Sequence, residues 1–243
     1  MRMSYSWIAV FAFWMFTGWP DSSFGQSSLP RFGVGVDVST LGIGVQGATA
    51  VTQRSNVRYG FNIFNYSRTS RTRGITYDGD LKLRSLEITY DQYLFSDFHV
   101  SPGLLVYNGT EIDAVASVPA GQSFSLGGTR FFSGQTNPIG GTGAMTLRKT
   151  APLILFGFGN PLPRSGGHLG FNVEAGVVFQ GSPTTKLNLT GTACLVNPTT
   201  GCMNAAASPI VQNSIQAEQA KLNSDLNAFQ YFPVLSAGVS WKF

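Results

Sequence analysis

The last thirteen residues, 231–243, alternate between two kinds of side chain along their whole length. Odd-numbered positions carry mostly apolar and aromatic side chains, namely Tyr231, Pro233, Leu235, Ala237, Val239, Trp241 and Phe243. Even-numbered positions carry mostly small or polar ones, namely Phe232, Val234, Ser236, Gly238, Ser240 and Lys242. Because successive side chains of a strand point to opposite faces, the segment predicts a strand with one apolar and one largely polar face.

An apolar, aromatic strand face that runs to Phe243 suits contact with lipid. The ending resembles the C-terminal signature of bacterial outer-membrane β-barrels, whose assembly machinery recognises a final aromatic strand. On this resemblance, Tyr231, Val239, Trp241 and Phe243 are the expected assembly signal. The alternative interpretation is a soluble β-sandwich, whose strands show the same two-residue period.

The first residues have the features of an export signal. Arg2 supplies a positive charge, residues 7–16 are almost entirely apolar, and Ser23 and Gly25 are small residues at the positions that signal peptidase inspects. We therefore predict a signal peptide over residues 1–25 and one domain over 26–243. An uncleaved anchor is the alternative, although the apolar run is too short to span a bilayer as a helix.

The composition favours a barrel and excludes several other classes. Charged residues make up 12% of the chain, about half the usual share, while glycine is frequent, with 29 residues. The basic excess is mild, with 16 Lys and Arg against 12 Asp and Glu, and forms no wide patch, so we expect no nucleic-acid partner. Two cysteines, Cys194 and Cys202, predict one disulfide in an exported chain, with two free thiols as the alternative.

Further segments show the same period of two. Between His168 and Gln180, apolar residues fill one face, and the pattern is interrupted only by Val178. Working backwards from the C-terminus, we predict antiparallel strands near 230–243, 168–190, 144–159, 98–117, 80–95, 56–68, 42–52 and 31–38. Long connections at 69–79, 118–143 and 191–229 would be extracellular, and the short ones between them periplasmic.

These strands predict an all-β, antiparallel, up-and-down transmembrane β-barrel with eight strands. Within 118–143, the segments 123–126 and 129–132 could pair as an extra hairpin, which would give ten. A short amphipathic helix over 208–229 precedes the last strand, with Ser208 as N-cap and Pro209 at its first position. This helix would either pack against the extracellular rim or plug the barrel mouth.

With the apolar faces turned to lipid, the lumen receives the charged and polar residues of the other faces. This predicted lumen set is Asp37, Arg58, Glu87, Asp91, His99, Glu174 and Lys242. Because isolated buried charges are costly, we predict a network in which Arg58 and Lys242 pair with Glu87, Asp91 or Glu174. The alternative is a polar path for small solutes or ions, in which the acids would favour cations.

Catalysis and cofactors are not expected. His99 and Ser101 share the lumen face with Glu174, but the chain has no Gly-x-Ser-x-Gly motif and no cysteine–histidine metal spacing. We therefore predict no enzyme activity, no catalytic residue, no cofactor and no metal site.

Two resemblances complete the prediction. Residues 26–243 resemble small outer-membrane barrels of the OmpW and OmpX kind. Gln216-Ala217-Glu218, Leu222, Asp225-Leu226, Phe229, Tyr231–Val234 and Gly238–Phe243 resemble the helix-plus-strand ending of uncharacterised outer-membrane barrel proteins. They imply a bacterial outer-membrane location, with lipid and the assembly machinery as partners. Two functions follow as hypotheses: a narrow pore or facilitator for small solutes, or a barrel with a plugged lumen whose extracellular loops carry the function.

Overall fold

The structure is a computed structural model that describes residues 31–72, 75–164 and 167–243, without the side chains of residues 71, 72 and 75. The predicted signal peptide, residues 1–25, lies outside the described residues. No helix in the described part of the chain combines the length and the apolar character needed to cross a membrane.

Eight antiparallel strands close into a ring, in the order β1-β2-β3-β4-β5-β10-β11-β15 and back to β1. They are β1 (Phe32–Ser39), β2 (Gly42–Thr52), β3 (Ser55–Thr72), β4 (Ile75–Phe95), β5 (Phe98–Asn108), β10 (Ala151–Asn160), β11 (Leu169–Phe179) and β15 (Tyr231–Lys242). The pairing of β4 with β5 and of β1 with β15 leaves no open edge in the ring. This confirms the predicted antiparallel barrel and its eight wall strands.

The two ends of the ring differ. At one end, called the turn end, lie the short connections after β2, β4 and β10, together with the start of β1 and the end of β15. At the other, called the loop end, β3 and β4 continue past the ring as a hairpin that is paired as far as Thr72 and Ile75. The long connections also leave from the loop end.

More strands exist than were predicted, fifteen among the described residues. Each of three predicted strands is broken at the point where the chain leaves the ring. These strands are 98–117, 144–159 and 168–190. Their outer parts are β6 (Glu111–Ser117), β9 (Gly140–Thr146) and β12 (Thr184–Thr190), which extend the outer half of β4 as an open sheet. The prediction missed the breaks because alternation continues in the outer sheet, which also buries one face.

A second sheet and the helix complete the loop-end domain. The sheet consists of β7 (Ser123–Leu126), β8 (Thr129–Ser133), β13 (Thr192–Asn197) and β14 (Thr200–Asn204). Helix α1 (Pro209–Asp225) packs on it and is followed by a 3-10 helix, Leu226–Gln230. The extra hairpin predicted near 123–132 does form, but it pairs with β13 and not with the barrel wall, so the ring does not reach ten strands.

An apolar core holds the loop-end domain together. Buried residues of the second sheet, of α1 and of the adjoining connections meet there: Val118, Leu126, Phe131, Ile139, Ala193, Ala205, Val211 and Ile215. Leu187 and Leu189 of the outer sheet pack against them. Ser208 stands at the N-cap of α1 but makes no side-chain cap; its hydroxyl contacts the Met203 sulfur instead. The helix therefore packs within this domain, as the rim alternative predicted, and does not enter the lumen.

The outer face of the ring is apolar along its whole height. Its exposed residues include Val36, Val38, Ile43, Val45, Phe61, Ile88, Phe156, Phe158, Val173, Leu235 and Val239. Aromatic pairs edge this band: Phe32 stacks with Phe243 at the turn end, and Phe179 meets Tyr231 at the loop end. A continuous exposed apolar band between aromatic girdles is typical of a barrel wall in contact with lipid.

Candidate functional site

Arg58 crosses the middle of the lumen. It projects inward from β3, and its guanidinium donates to both carboxylate oxygens of Glu174 on β11, with Nη1 2.6 Å from Oε2. β11 stands four strands from β3 in either direction around the ring, so this contact spans the diameter. Nη2 also donates to Asp91 on β4 at 3.1 Å. Both acids and the arginine are almost fully buried.

Neighbouring polar side chains complete this arrangement, which we call the ionic layer. The His99 Nε2 lies 2.9 Å from a Glu174 oxygen, and the Ser101 hydroxyl donates to Asp91 at 2.7 Å. The Asn172 amide and the Ser236 hydroxyl also donate to Glu174. The layer is possible because glycine stands beside it: a Cβ on Gly157 would lie 2.5 Å from His99 Nε2 and 2.6 Å from Glu174 Cγ.

The turn end of the lumen is closed by the connection between β10 and β11. Asn160 accepts hydrogen bonds from the Asn56 amide at 3.1 Å and from the Leu162 backbone N–H at 2.8 Å. The Leu162 side chain is buried, and Ser240 on β15 donates to the Pro161 carbonyl at 2.7 Å. This turn-end layer therefore ties the connection across the barrel mouth.

The loop end of the lumen is closed by apolar side chains, which we call the apolar layer. Its buried members are Leu41, Leu105, Ala151, Leu153, Leu155, Val178 and Val234, with Phe232 packed against them. The alternation in the sequence predicted a polar lumen and did not indicate this layer. The available signal was the loss of polar character on both faces at the loop-end parts of β10, β11 and β15, including the interruption at Val178.

The structure brings together most of the predicted lumen set. Arg58, Asp91, His99 and Glu174 form the ionic layer, and Asp37 lies inside the ring, largely buried. Glu87 also faces inward, but it makes no ion pair or hydrogen bond among the described residues. The predicted participation of Lys242 is wrong, because its ammonium donates to the Pro163 carbonyl at 2.7 Å, at the turn end. The strand ends there, too far from the ionic layer for the lysine to reach an acid.

Three residues of the ionic layer have the ligand types of a metal site. Asp91, His99 and Glu174 offer ligand atoms that all lie within 4.8 Å of one another. Arg58 already pairs with both carboxylates, and His99 already contacts Glu174. A metal ion would have to displace a buried guanidinium, so the arrangement fits a closed ion-pair network better than a metal centre.

The loop-end domain contains a cleft with a volume of about 860 Å³. Small residues form its floor on the outer sheet: Ala114, Ala116, Gly141 and Gly143. Phe124, Leu187 and Leu189 add apolar walls. Arg130 and Glu218 stand at its polar side; Glu218 accepts a hydrogen bond from the Gly127 backbone N–H at 2.9 Å, which fixes the β7–β8 turn against α1.

Arg130 supplies the basic side chain of this cleft, opposite in charge to Glu218. Its guanidinium donates to the Ser123 hydroxyl at 3.1 Å and lies over the Phe132 ring. It has no ion pair with any acid among the described residues, unlike Lys82, which donates to Asp113 at 2.9 Å. That hydrogen bond and the charge of Asp113 raise the pKa of Lys82.

The remaining predicted sites are the disulfide and the outward face of the C-terminal strand. Cys194 and Cys202 are joined by a disulfide across the β13–β14 hairpin of the loop-end domain. Tyr231, Val239, Trp241 and Phe243 all point outward from β15 and are exposed. The Phe243 backbone N–H donates to Phe32, so the final residue is held against the first strand of the ring.

Solved structures with the same fold exist, although no family model and no curated protein sequence matches the chain. The crystal structure of Acinetobacter baumannii CarO matches with a TM-score of 0.55 and 23% identity, over 90% of this chain and 100% of that one. Acinetobacter baumannii CarO2 matches with a TM-score of 0.57 and 20% identity, over 89% and 100%. This similarity confirms the predicted resemblance to outer-membrane barrels at the level of the fold.

Proposed function

We propose that this chain is an outer-membrane β-barrel with a closed lumen, and that its loop-end domain carries the function by binding a small molecule. The proposal rests on the contrast between the filled lumen and the open cleft of the loop-end domain. The lumen is filled at three levels by buried side chains, whereas the loop-end domain has a cleft of about 860 Å³. Small-molecule sites have volumes of this order, mostly apolar walls and a few polar groups.

The outer-membrane location is supported by the wall of the barrel. Its exposed apolar band and aromatic girdles match a lipid-facing surface, and the fold is that of the CarO structures. With the turn end in the periplasm, the loop-end domain stands outside the cell, where it can meet extracellular solutes.

The lining of the cleft indicates the chemistry of its ligand. A floor of alanine and glycine leaves room for a bulky apolar group, and Leu187 and Leu189 provide contact surface. Arg130 has no acidic partner among the described residues, so its guanidinium is available for a carboxylate. The cleft therefore fits a small amphipathic molecule that bears a carboxylate.

The binding test uses the barrel in lipid nanodiscs, with phenylpropionate as the probe and phenylpropylamine as its cationic match. We expect calorimetry to detect phenylpropionate binding that Arg130→Gln weakens by about ten- to a hundredfold, the usual value of a hydrogen bond to a charged group. Ala116→Phe, which fills the floor, should abolish binding. Two matched controls should bind as the wild type does: Val115→Phe, which places its side chain on the opposite face of β6, and Arg84→Gln, outside the cleft.

Two results would contradict the cleft as the binding site. One is equal binding of the acid and the amine, which would indicate adsorption to lipid or to the barrel wall. The other is equal affinity in Ala116→Phe and Val115→Phe. The other hypothesis, a narrow pore, needs the ionic and apolar layers to move, and conductance tests it.

A further inference from the structure

The acids of the lumen outnumber the bases. Four carboxylates face inward near the ionic layer, those of Asp37, Glu87, Asp91 and Glu174. Arg58 pairs with Asp91 and Glu174, and His99 contacts Glu174 as well. Asp37 and Glu87 have neither an ion pair nor a hydrogen bond among the described residues. Two carboxylates in a confined interior need a positive charge or a proton, because an isolated buried charge is very costly.

Two glycines stand beside these two acids and let their carboxylates lie close to the barrel wall. The row of inward positions that contains Asp37 continues through Gly44 on β2 to Asn62 on β3 and Ser85 on β4. A Cβ on Gly44 would press against Asn62 Oδ1 and stand 2.7 Å from Asp37 Oδ1, so both oxygens border the space that glycine leaves. On the next row, a Cβ on Gly60 would stand 2.7 Å from Glu87 Oε1.

The neutral side chains of the same region are also without partners. Asn62 Oδ1, Ser85 Oγ and Glu87 Oε2 are buried oxygens for which the described residues provide no hydrogen bond. Asn62 is 1% exposed and Ser85 is 2% exposed. Buried polar groups in folded proteins nearly always have a partner, so unsatisfied oxygens on adjacent strands indicate a partner from outside the chain, and the two unpaired acids beside them favour a positively charged one.

We propose that Asp37, Asn62, Ser85 and Glu87 form a binding site for a hard divalent cation, independent of the loop-end cleft. The donors are two carboxylates, one amide oxygen and one hydroxyl, an all-oxygen set of the kind that Ca²⁺ prefers. The cation would neutralise both unpaired acids. The site lies on the loop-end side of Arg58, below the apolar layer, so a bound ion would be sheltered from exchange. The sequence predicted no metal site because that prediction rested on the cysteines and histidines alone.

Ca²⁺ binding to the barrel tests this site directly. The protein, refolded in neutral detergent and stripped with EDTA, is titrated with Ca²⁺ in a calorimeter, and its heat-modifiability midpoint is measured with and without Ca²⁺. We expect one Ca²⁺ per barrel and a raised midpoint, since binding to the folded state alone stabilises it. Asp37→Asn and Glu87→Gln should each weaken Ca²⁺ binding at least about tenfold, because affinity follows the charge of the ligands. Asp225→Asn, an exposed acid of α1, should leave it unchanged.

Measurements on the EDTA-treated protein show whether a cation or a proton compensates the charge of the two acids. Without metal, both amide variants should have a higher midpoint than the wild type, because they remove unpaired charge while keeping side-chain shape. Equal Ca²⁺ affinity in the wild type and Glu87→Gln would overturn the site, and so would a wild-type midpoint that Ca²⁺ leaves unchanged. If the amide variants do not refold, the wild-type titration still decides, because a barrel that binds no Ca²⁺ contradicts the proposal.

Discussion

Arg58 on β3 and Glu174 on β11 meet across the full diameter of the barrel and pair through two hydrogen bonds. Neither side chain could form this contact unless the ring were closed, because the two strands are as far apart around the wall as eight strands allow. The pair therefore acts both as a tie between opposite walls and as a barrier to solutes at mid-height. Asp91, His99 and Ser101 hold it in place.

Removing the arginine should destabilise the barrel strongly. Arg58→Met leaves Asp91 and Glu174 buried without their cation, and breaking a buried pair in this way costs about 3–5 kcal/mol. Urea unfolding in lipid vesicles, followed by the fluorescence of Trp241, measures the change. Lys82→Met is the matched control: its pair with Asp113 is exposed and screened by solvent, so its loss should change stability little. Equal costs for the two variants would contradict the role given to Arg58.

Gly157 should tolerate no side chain. A methyl group there would overlap His99 and Glu174, and we expect Gly157→Ala to destabilise by about 1–3 kcal/mol through overpacking. Gly79→Ala serves as the control, since the atoms nearest its Cβ would be 3.8 and 4.0 Å away, at ordinary contact distance. The same urea unfolding assay compares them. A neutral Gly157→Ala would mean that the ionic layer has more room than its contacts indicate.

The final aromatic residue should matter for assembly more than for stability. Phe243→Ala keeps the backbone hydrogen bond to Phe32 but removes the aromatic ring. We expect a several-fold lower level of folded protein in the outer membrane of expressing cells, with normal refolding in vitro. Phe95→Ala, another exposed aromatic at the turn end, should assemble as the wild type does. Equal levels for the two variants would remove Phe243 from the assembly signal.

The wall strands could be predicted because most of them carry a largely apolar face opposite a polar one. The alternation along β1, β3 and β15 fixed both their positions and the side that faces lipid. Arg58 could be placed in the lumen for the same reason, since it stands between Val57 and Tyr59 on the opposite face. A period of two identifies the face of a residue but does not show how high it stands in the barrel.

The features that could not be predicted depend on the tilt of the strands and on contacts between residues distant in sequence. The partners of Arg58 lie 33 and 116 positions away, and only the stagger of the closed ring decides that Asp91 and Glu174 meet it while Glu87 does not. The apolar layer was missed because each strand loses its polar face only over a short stretch, and such stretches have no meaning until the ring sets them side by side. The outer sheet was missed because its strands continue the period of those in the wall.

Single-channel conductance in planar bilayers tests the central claim, a lumen closed by the ionic and apolar layers. The experiment uses the wild-type barrel, shown to be folded by its heat-modifiable gel mobility, and a variant that combines Arg58→Ser, Glu174→Ser, Leu105→Ala and Leu155→Ala with Leu162→Ala, so that the turn-end layer is opened together with the ionic and apolar layers. We predict a silent wild type and stepwise conductance in the folded variant. Stepwise conductance in the wild type would contradict the closed lumen and favour the pore.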